Sequence, residues 1–202
     1  EGLRERSKRH FGIDISYQVL NRLNDGEWLN DDLIQYCSRI LLHESVRSGK
    51  TTTLSCFDPL NWQQIVHKGV DDVKHYLHKL KFASFEKKRD RFFDRFICFP
   101  ININNSHWIL LVIDTKKKEF VAYDSMTPSR TVRDKHIDRL KILRTWFTAA
   151  CQHEWLVNEW LVKVKVPPPV AAWVQNYNDV RKWTLRIGQC PDQLNGYDCG
   201  IF

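Results

Sequence analysis

Apolar residues along this chain follow two different rhythms. After a WLND segment, Leu33, Ile34, Cys37, Ile40 and Leu41 recur at helical spacing, and Asn30 or Asp31 can cap the orphan amides of the first turn. The spacing predicts a helix from about Asp31 to Glu44. The following RSGKTTTLSC has no periodicity and reads as a loop. Asp58-Pro59 then offers an N-cap with proline in the first turn, where its missing N–H costs nothing, so a short helix is expected over about Leu60 to His67. Val73, Tyr76, Leu77 and Leu80 suggest one more helix after Gly69. The N-terminal half is thus expected to be mainly helical.

The second rhythm is that of strands. RFICFPINI, HWILLVID and EFVAYDSM are apolar, branched and aromatic runs, the last two joined by a lysine-rich connection at Lys116 to Lys118 that suits a hairpin turn. From Thr131 to about Gln152 the helical period returns through Val132, Ile137, Leu140, Leu143, Phe147 and Ala150, and this stripe should pack on the sheet. The three prolines at 167–169 must break regular structure, which suggests an exposed insertion before a last strand in KWTLRIG. The pattern predicts an α+β domain, with a helical N-terminal part against a central mixed sheet and a cleft between them.

Composition narrows the class. A chain of 202 residues, 43% hydrophobic with eight tryptophans, can bury one substantial core, and residues 1–202 are read as a single domain. No run of about 18 apolar residues is present, and the charged start EGLRERSKRH lacks the apolar core of a secretory signal, so a soluble, intracellular protein without a membrane partner is expected. The chain opens on Glu1 and stops at Phe202 after an apolar run, which suggests a fragment of something longer. Six cysteines with no CxxC pair and no histidine at zinc-like spacing indicate neither a metal site nor a disulfide framework; reduced thiols in the nucleus or cytoplasm fit best. The net charge of +7, much of it between Lys81 and Arg95, is interrupted by Glu86, Asp90 and Asp94, and a solvated basic face is preferred over a nucleic-acid surface.

The candidate chemistry lies in three contexts. His107 opens an apolar strand, where the following residues can anchor it while its ring points into a cleft. Asp124 ends the neighbouring predicted strand, and a hairpin would bring the two ends within reach of an imidazole–carboxylate hydrogen bond. Cys199 sits in QLNGYDCG, where two glycines allow backbone to approach a substrate and Gln193 could supply an amide to an oxyanion. A thiol nucleophile, a histidine base and an orienting carboxylate are the parts that cysteine catalysis needs, and no cofactor or metal is required. Each residue alone also has an ordinary packing reading.

HWILLVIDTKKKEFVAYDSM and CPDQLNGYDCGIF resemble the two signature blocks of the ubiquitin-like-protein-specific (SUMO or sentrin) cysteine proteases, and WLNDDLI, residues 28 to 34, resembles that family's early block. The resemblance runs from roughly Ile15 to Phe202. It implies a papain-like fold, His107 as base, Asp124 as its orienting carboxylate, Gln193 as oxyanion donor and Cys199 as nucleophile at the start of a buried helix. It also implies that Trp28 and Trp108 line a narrow tunnel for a Gly-Gly tail, although most of eight tryptophans must be core. Asp192 stands where the family commonly has a second glutamine, and Cys190 adds a thiol upstream.

The function expected from this resemblance is cleavage after the C-terminal Gly-Gly of SUMO or a related ubiquitin-like modifier, by a monomer, in precursor maturation and in isopeptide deconjugation. Three rival readings stand beside it: the same chemistry on the cullin modifier or on ubiquitin, a modifier-binding module or impaired fragment, and, ranked last, a nucleic-acid-associated protein. Should the buried helix continue past Phe202, the 202-residue piece is expected to be less active than a longer chain.

Overall fold

The computed structural model describes residues 8–48, 54–70, 95–126, 128–152 and 177–200. The helix expected around Val73 to Leu80, nearly all of the basic stretch and the three prolines lie outside these residues. The first strands, β1 (Lys8–His10) and β2 (Ile13–Ile15), form an antiparallel hairpin. Its turn at Phe11 and Gly12 has positive φ at both positions, and no hydrophobic pattern announced it. A single helical turn, α1 (Tyr17–Leu20), follows, with the Ser16 hydroxyl accepting from the Val19 amide.

Helix α2 (Asp31–Arg47) begins where the sequence places it and runs about one turn past Glu44. Asn30 is its cap: its Oδ1 accepts from the Leu33 N–H at 3.1 Å, and two aspartates follow in the first turn, where negative charge suits the helix dipole. Leu33 and Ile34 are buried, but Leu41 is 66% exposed, so the stripe narrows along the helix. The segment read as a loop contains a short strand, β3 (Leu54–Cys56), paired in parallel with the next strand. Three residues are too few to show a period, and tertiary pairing alone makes them a strand. Helix α3 (Pro59–Lys68) is capped by Asp58, which accepts from the Leu60 amide, and ends at Gly69 with φ 59°.

Strands β4 (Phe96–Ile103), β5 (His107–Asp114), β6 (Glu119–Tyr123) and β7 (Thr184–Ile187) complete a five-stranded sheet in the order β3-β4-β5-β6-β7. The middle three strands are antiparallel and the two edges parallel, so the sheet is mixed, as expected. The β5–β6 turn is tightened by Asp114, whose Oδ1 accepts from the amides of Lys116 and Lys117. Register then pairs Leu110 with Tyr123, which leaves His107 and Asp124 at the same end of the hairpin.

One sheet face, with Ile97, Phe99, Ile101, Ile109, Leu111, Ile113, Phe120 and Ala122, packs against α3 and the long helix α4 (Arg130–Gln152). Leu140, Leu143, Trp146, Phe147 and Ala150 form the buried stripe of α4, and Trp146 meets Phe57 and Phe99 edge to face. Cys98, Pro100, Trp108, Leu110 and Tyr123, which alternate with these core positions along the strands, join α2 around an apolar cavity of 290 Å³. Among the described residues, no helix is long and apolar enough to cross a membrane.

Candidate active site

A smaller apolar cluster of Leu29, Leu33, Ile34, Trp108 and Cys199 ties the start of α2 to the start of β5. Trp108 holds it together with two hydrogen bonds. Its indole N–H donates to the Leu29 carbonyl at 2.9 Å, and its backbone N–H donates to Cys199 Sγ at 3.3 Å. Cys199 lies in a single 3₁₀ turn, Asp198–Gly200, rather than at the start of a long helix within the described residues. That turn is set by Asn195, whose Oδ1 accepts from the amides of Tyr197 and Asp198 while its Nδ2 donates to the Asp198 carboxylate. Gly200 closes it against α2, since a Cβ there would lie 3.0 Å from both Leu29 and Ile34.

His107 is the first residue of β5, and Asp124 follows the last residue of β6. The hairpin brings His107 Nε2 to 2.7 Å from Asp124 Oδ1, and the Met126 amide donates to the same oxygen at 3.0 Å. His107 Nδ1 is buried without a standard hydrogen bond, and it is the ring nitrogen left to exchange a proton with the Cys199 thiol. The charges follow from this arrangement. The bond to Asp124 first, and the interaction with Cys199 second, raise His107 to about 9 against the opposing effect of burial. Burial pushes Asp124 up, but donation from His107, His136 and the Met126 amide outweighs it and holds the carboxyl below its ordinary range. Burial likewise pushes the Cys199 thiol up, while His107 and the Trp108 amide bring it to a net position below the ordinary thiol. Burial raises Cys37, Cys98, Cys151 and Cys190 instead. The site can therefore hold a thiolate beside an imidazolium.

Trp28 and Trp108, which the sequence paired, share a 380 Å³ cleft in front of Cys199, but they differ in environment. Trp108 is 5% exposed and Trp28 is 42% exposed, so the first belongs to core and cleft alike while the second stands at the surface. Gln193 does not line this cleft. Its Oε1 accepts from the Ser125 hydroxyl and its Nε2 donates to the Asn195 carbonyl, each at 2.6 Å, so one amide hydrogen remains for another acceptor. Cys190 donates to the Asp124 carbonyl at 3.1 Å.

Sequence reasoning missed Ser125, Asn102 and His136. Ser125 is buried and clamps Gln193. Asn102 lies opposite Trp108 in register and lines the cleft; an asparagine inside a strand of apolar residues was the available signal. His136 falls on the apolar stripe of α4, four residues after Val132 and four before Leu140, so a histidine at a core-facing position was the available signal.

A mixed sheet flanked by helices, with Cys, His and Asp converging across a cleft from α2 to β5, is a papain-like cysteine protease fold. The family described as the Ulp1 protease family, C-terminal catalytic domain, matches residues 27–202, and the chain belongs to it. Among curated relatives, a sentrin-specific protease of Caenorhabditis elegans is 26% identical over 193 residues, which are 95% of this chain and 23% of the relative. The ubiquitin-like-specific protease 1 of Saccharomyces cerevisiae is 25% identical over 94% of this chain and 24% of its own length. The chain thus spans about a quarter of the length of the curated relatives it matches. Among solved structures, the C-terminal Ulp1 protease domain in complex with Smt3, the yeast orthologue of SUMO, shares the fold with a TM-score of 0.67 at 22% identity, covering 99% of this chain and 73% of that one.

Proposed function

We propose that this chain is a single thiol-protease catalytic domain that cleaves after the C-terminal Gly-Gly of a small ubiquitin-like modifier, with SUMO as the first candidate. The observation that carries the reading is the approach of His107 and Asp124 to 2.7 Å beside a cysteine whose thiol lies below its ordinary range. Family membership and the yeast domain's complex with Smt3 support the choice of modifier.

In the proposed reaction the Cys199 thiolate attacks the carbonyl carbon after the second glycine. The C–N bond then breaks as His107 Nδ1 gives its proton to the leaving amine, leaving a thioester. Water, deprotonated by the same nitrogen, attacks the thioester and releases the modifier's carboxylate and the thiolate. The Cys199 amide and the free hydrogen of the Gln193 amide are the proposed oxyanion donors. Trp28 and Trp108 are the proposed walls for a tail whose glycines alone are thin enough to lie between indole faces. A linear precursor and a lysine isopeptide both present this bond. Cysteines that form no disulfide fit a nuclear or cytoplasmic setting.

The test is an intact-mass assay in which the chain meets SUMO, the cullin modifier and ubiquitin, each carrying a thiol-reactive C-terminal electrophile, with Cys199→Ala as control. A SUMO adduct absent from the control is expected. An adduct with another modifier only would reassign the substrate, and tight SUMO binding without any adduct would make the chain a binding module.

A further inference from the structure

We propose that His136 is a positioning residue for Asp124, locked by Arg139 into the tautomer that carries its proton on Nε2; the inference rests on reading His107, Asp124 and Cys199 as a working triad. His136 lies on α4 and is 1% exposed. Its Nε2 is 2.7 Å from Asp124 Oδ2, the carboxylate oxygen that His107 does not use. Its Nδ1 is 3.1 Å from Arg139 Nη1, one helical turn further along.

The second contact decides the first. A guanidinium has only donors, so Nδ1 of His136 must offer a lone pair, the ring's proton sits on Nε2, and that N–H donates to Asp124. A proton on Nδ1 would point at a guanidinium N–H inside the protein. Arg139 thus selects the tautomer, and His136 is a neutral donor to the carboxylate rather than a competing cation.

The consequence reaches His107 through Asp124. With Oδ1 taken by His107 and the Met126 amide and Oδ2 taken by His136, the carboxylate cannot rotate without breaking a buried bond. Donation to Oδ2 also draws off part of the charge that Asp124 directs at His107, which tempers how firmly the imidazolium keeps its proton. Among the described residues, the other ionisable groups facing this carboxylate are His107 on β5, Arg139 on α4 and the Cys190 thiol on the backbone carbonyl of Asp124. None of these can donate to Oδ2 in place of His136 without rearrangement.

Two readouts that need no protein substrate test this. Histidine side-chain ¹⁵N shifts of the parent chain at neutral pH should show His136 protonated on Nε2 and bare on Nδ1, and Arg139→Met should mix the two tautomers. The rate of Cys199 carboxymethylation by iodoacetate, an anion drawn by the His107 imidazolium, should fall along a basic limb as that imidazolium loses its proton. His136→Phe, which removes the donor, should move the limb upward by about half a pH unit or more, and His136→Gln, whose amide reaches the Nε2 position, should stay within about 0.2 of the parent. If the phenylalanine variant does not fold, His136→Asn, too short to reach Asp124, takes its place with the same expected shift. A parent His136 protonated on Nδ1, or a folded donor-free variant whose limb superimposes on the parent's, overturns the proposal. A chain that shows these shifts yet takes no modifier electrophile keeps the His136 assignment and loses the protease one; a modifier adduct with the wrong tautomer does the reverse.

Discussion

The backbone amide of Trp108 donates to Cys199 Sγ at 3.3 Å, joining residues 91 positions apart in the chain. The residue immediately before this tryptophan is His107, so a single strand start delivers both the ring proposed to exchange the proton and an N–H that favours the thiolate. Pairing β5 with β6 adds Asp124 to the same corner.

The pH dependence follows from His107 at about 9 and Cys199 below its ordinary range. Cys199 should react with iodoacetate from below the range of a free thiol up to a basic limb near pH 9, as read by mass after timed quenching. Stability carries the same signature. The raised His107 contributes fully below its unfolded value of about 6.5, and that contribution is lost as pH rises through the folded value. The depressed Asp124 contributes above its unfolded value of about 3.9 and is lost as pH falls below it. The lowered Cys199 thiol gains as pH rises and so works against the His107 loss on the basic side; the clear decline in denaturant midpoint should be the acid one, below about pH 3.9.

Asp124→Asn should lower turnover by about ten-thousand-fold, the scale of a carboxylate-to-amide change in a comparable triad. In the orientation that keeps the amide oxygen on His136, the amide nitrogen would displace the Met126 N–H, face His107 Nε2 and force that ring's proton onto Nδ1, where it cannot accept one from Cys199. Cleavage kinetics of a modifier fused to a fluorogenic leaving group check this, with Asp124→Ala as a variant that imposes no tautomer.

Trp28 and Trp108 should separate binding from packing. Trp108→Ala removes a buried indole and its bond to Leu29, and should cost about 3–5 kcal/mol in urea unfolding. Trp28, 42% exposed, should cost less than about 1 kcal/mol when replaced by alanine, while modifier-electrophile labelling slows about tenfold. An unchanged labelling rate would remove Trp28 from the tail-binding site.

Gly188→Ala should destabilise the fold by about 1–3 kcal/mol in denaturant unfolding. A Cβ at this position would lie 2.3 Å from Cε1 of the Tyr123 ring, and the Gly188 amide, which donates to the Ala122 carbonyl at 2.8 Å, leaves the backbone little room to retreat. The strain would fall on the strand that carries Asp124 at its end, so the iodoacetate profile should change as well.

Where the chain's own pattern is long enough to repeat, it is legible without coordinates. Leu140, Leu143, Phe147 and Ala150 announce α4, the branched run from His107 announces β5, and the lysines at 116–118 announce the hairpin, because each is a local preference repeated over two or more periods. His107, Asp124 and Cys199 were also legible, since their block contexts survive in the order of the chain. Strand β3 was not, for its three residues become a strand only through parallel pairing with β4. The β1–β2 turn depends on Phe11 at φ 52°, a conformation that its residue type does not favour.

By itself, then, the sequence determined the mixed α+β layering, the long elements and the identity of the three chemical groups, because periodicity and short motifs are properties of neighbours along the chain. Only the tertiary structure decided that Asp124 is held by two histidines rather than one, that Gln193 is clamped by Ser125, and that Trp28 stands open while Trp108 is buried. Those facts depend on hydrogen bonds and burial between residues far apart in sequence, which no local preference encodes.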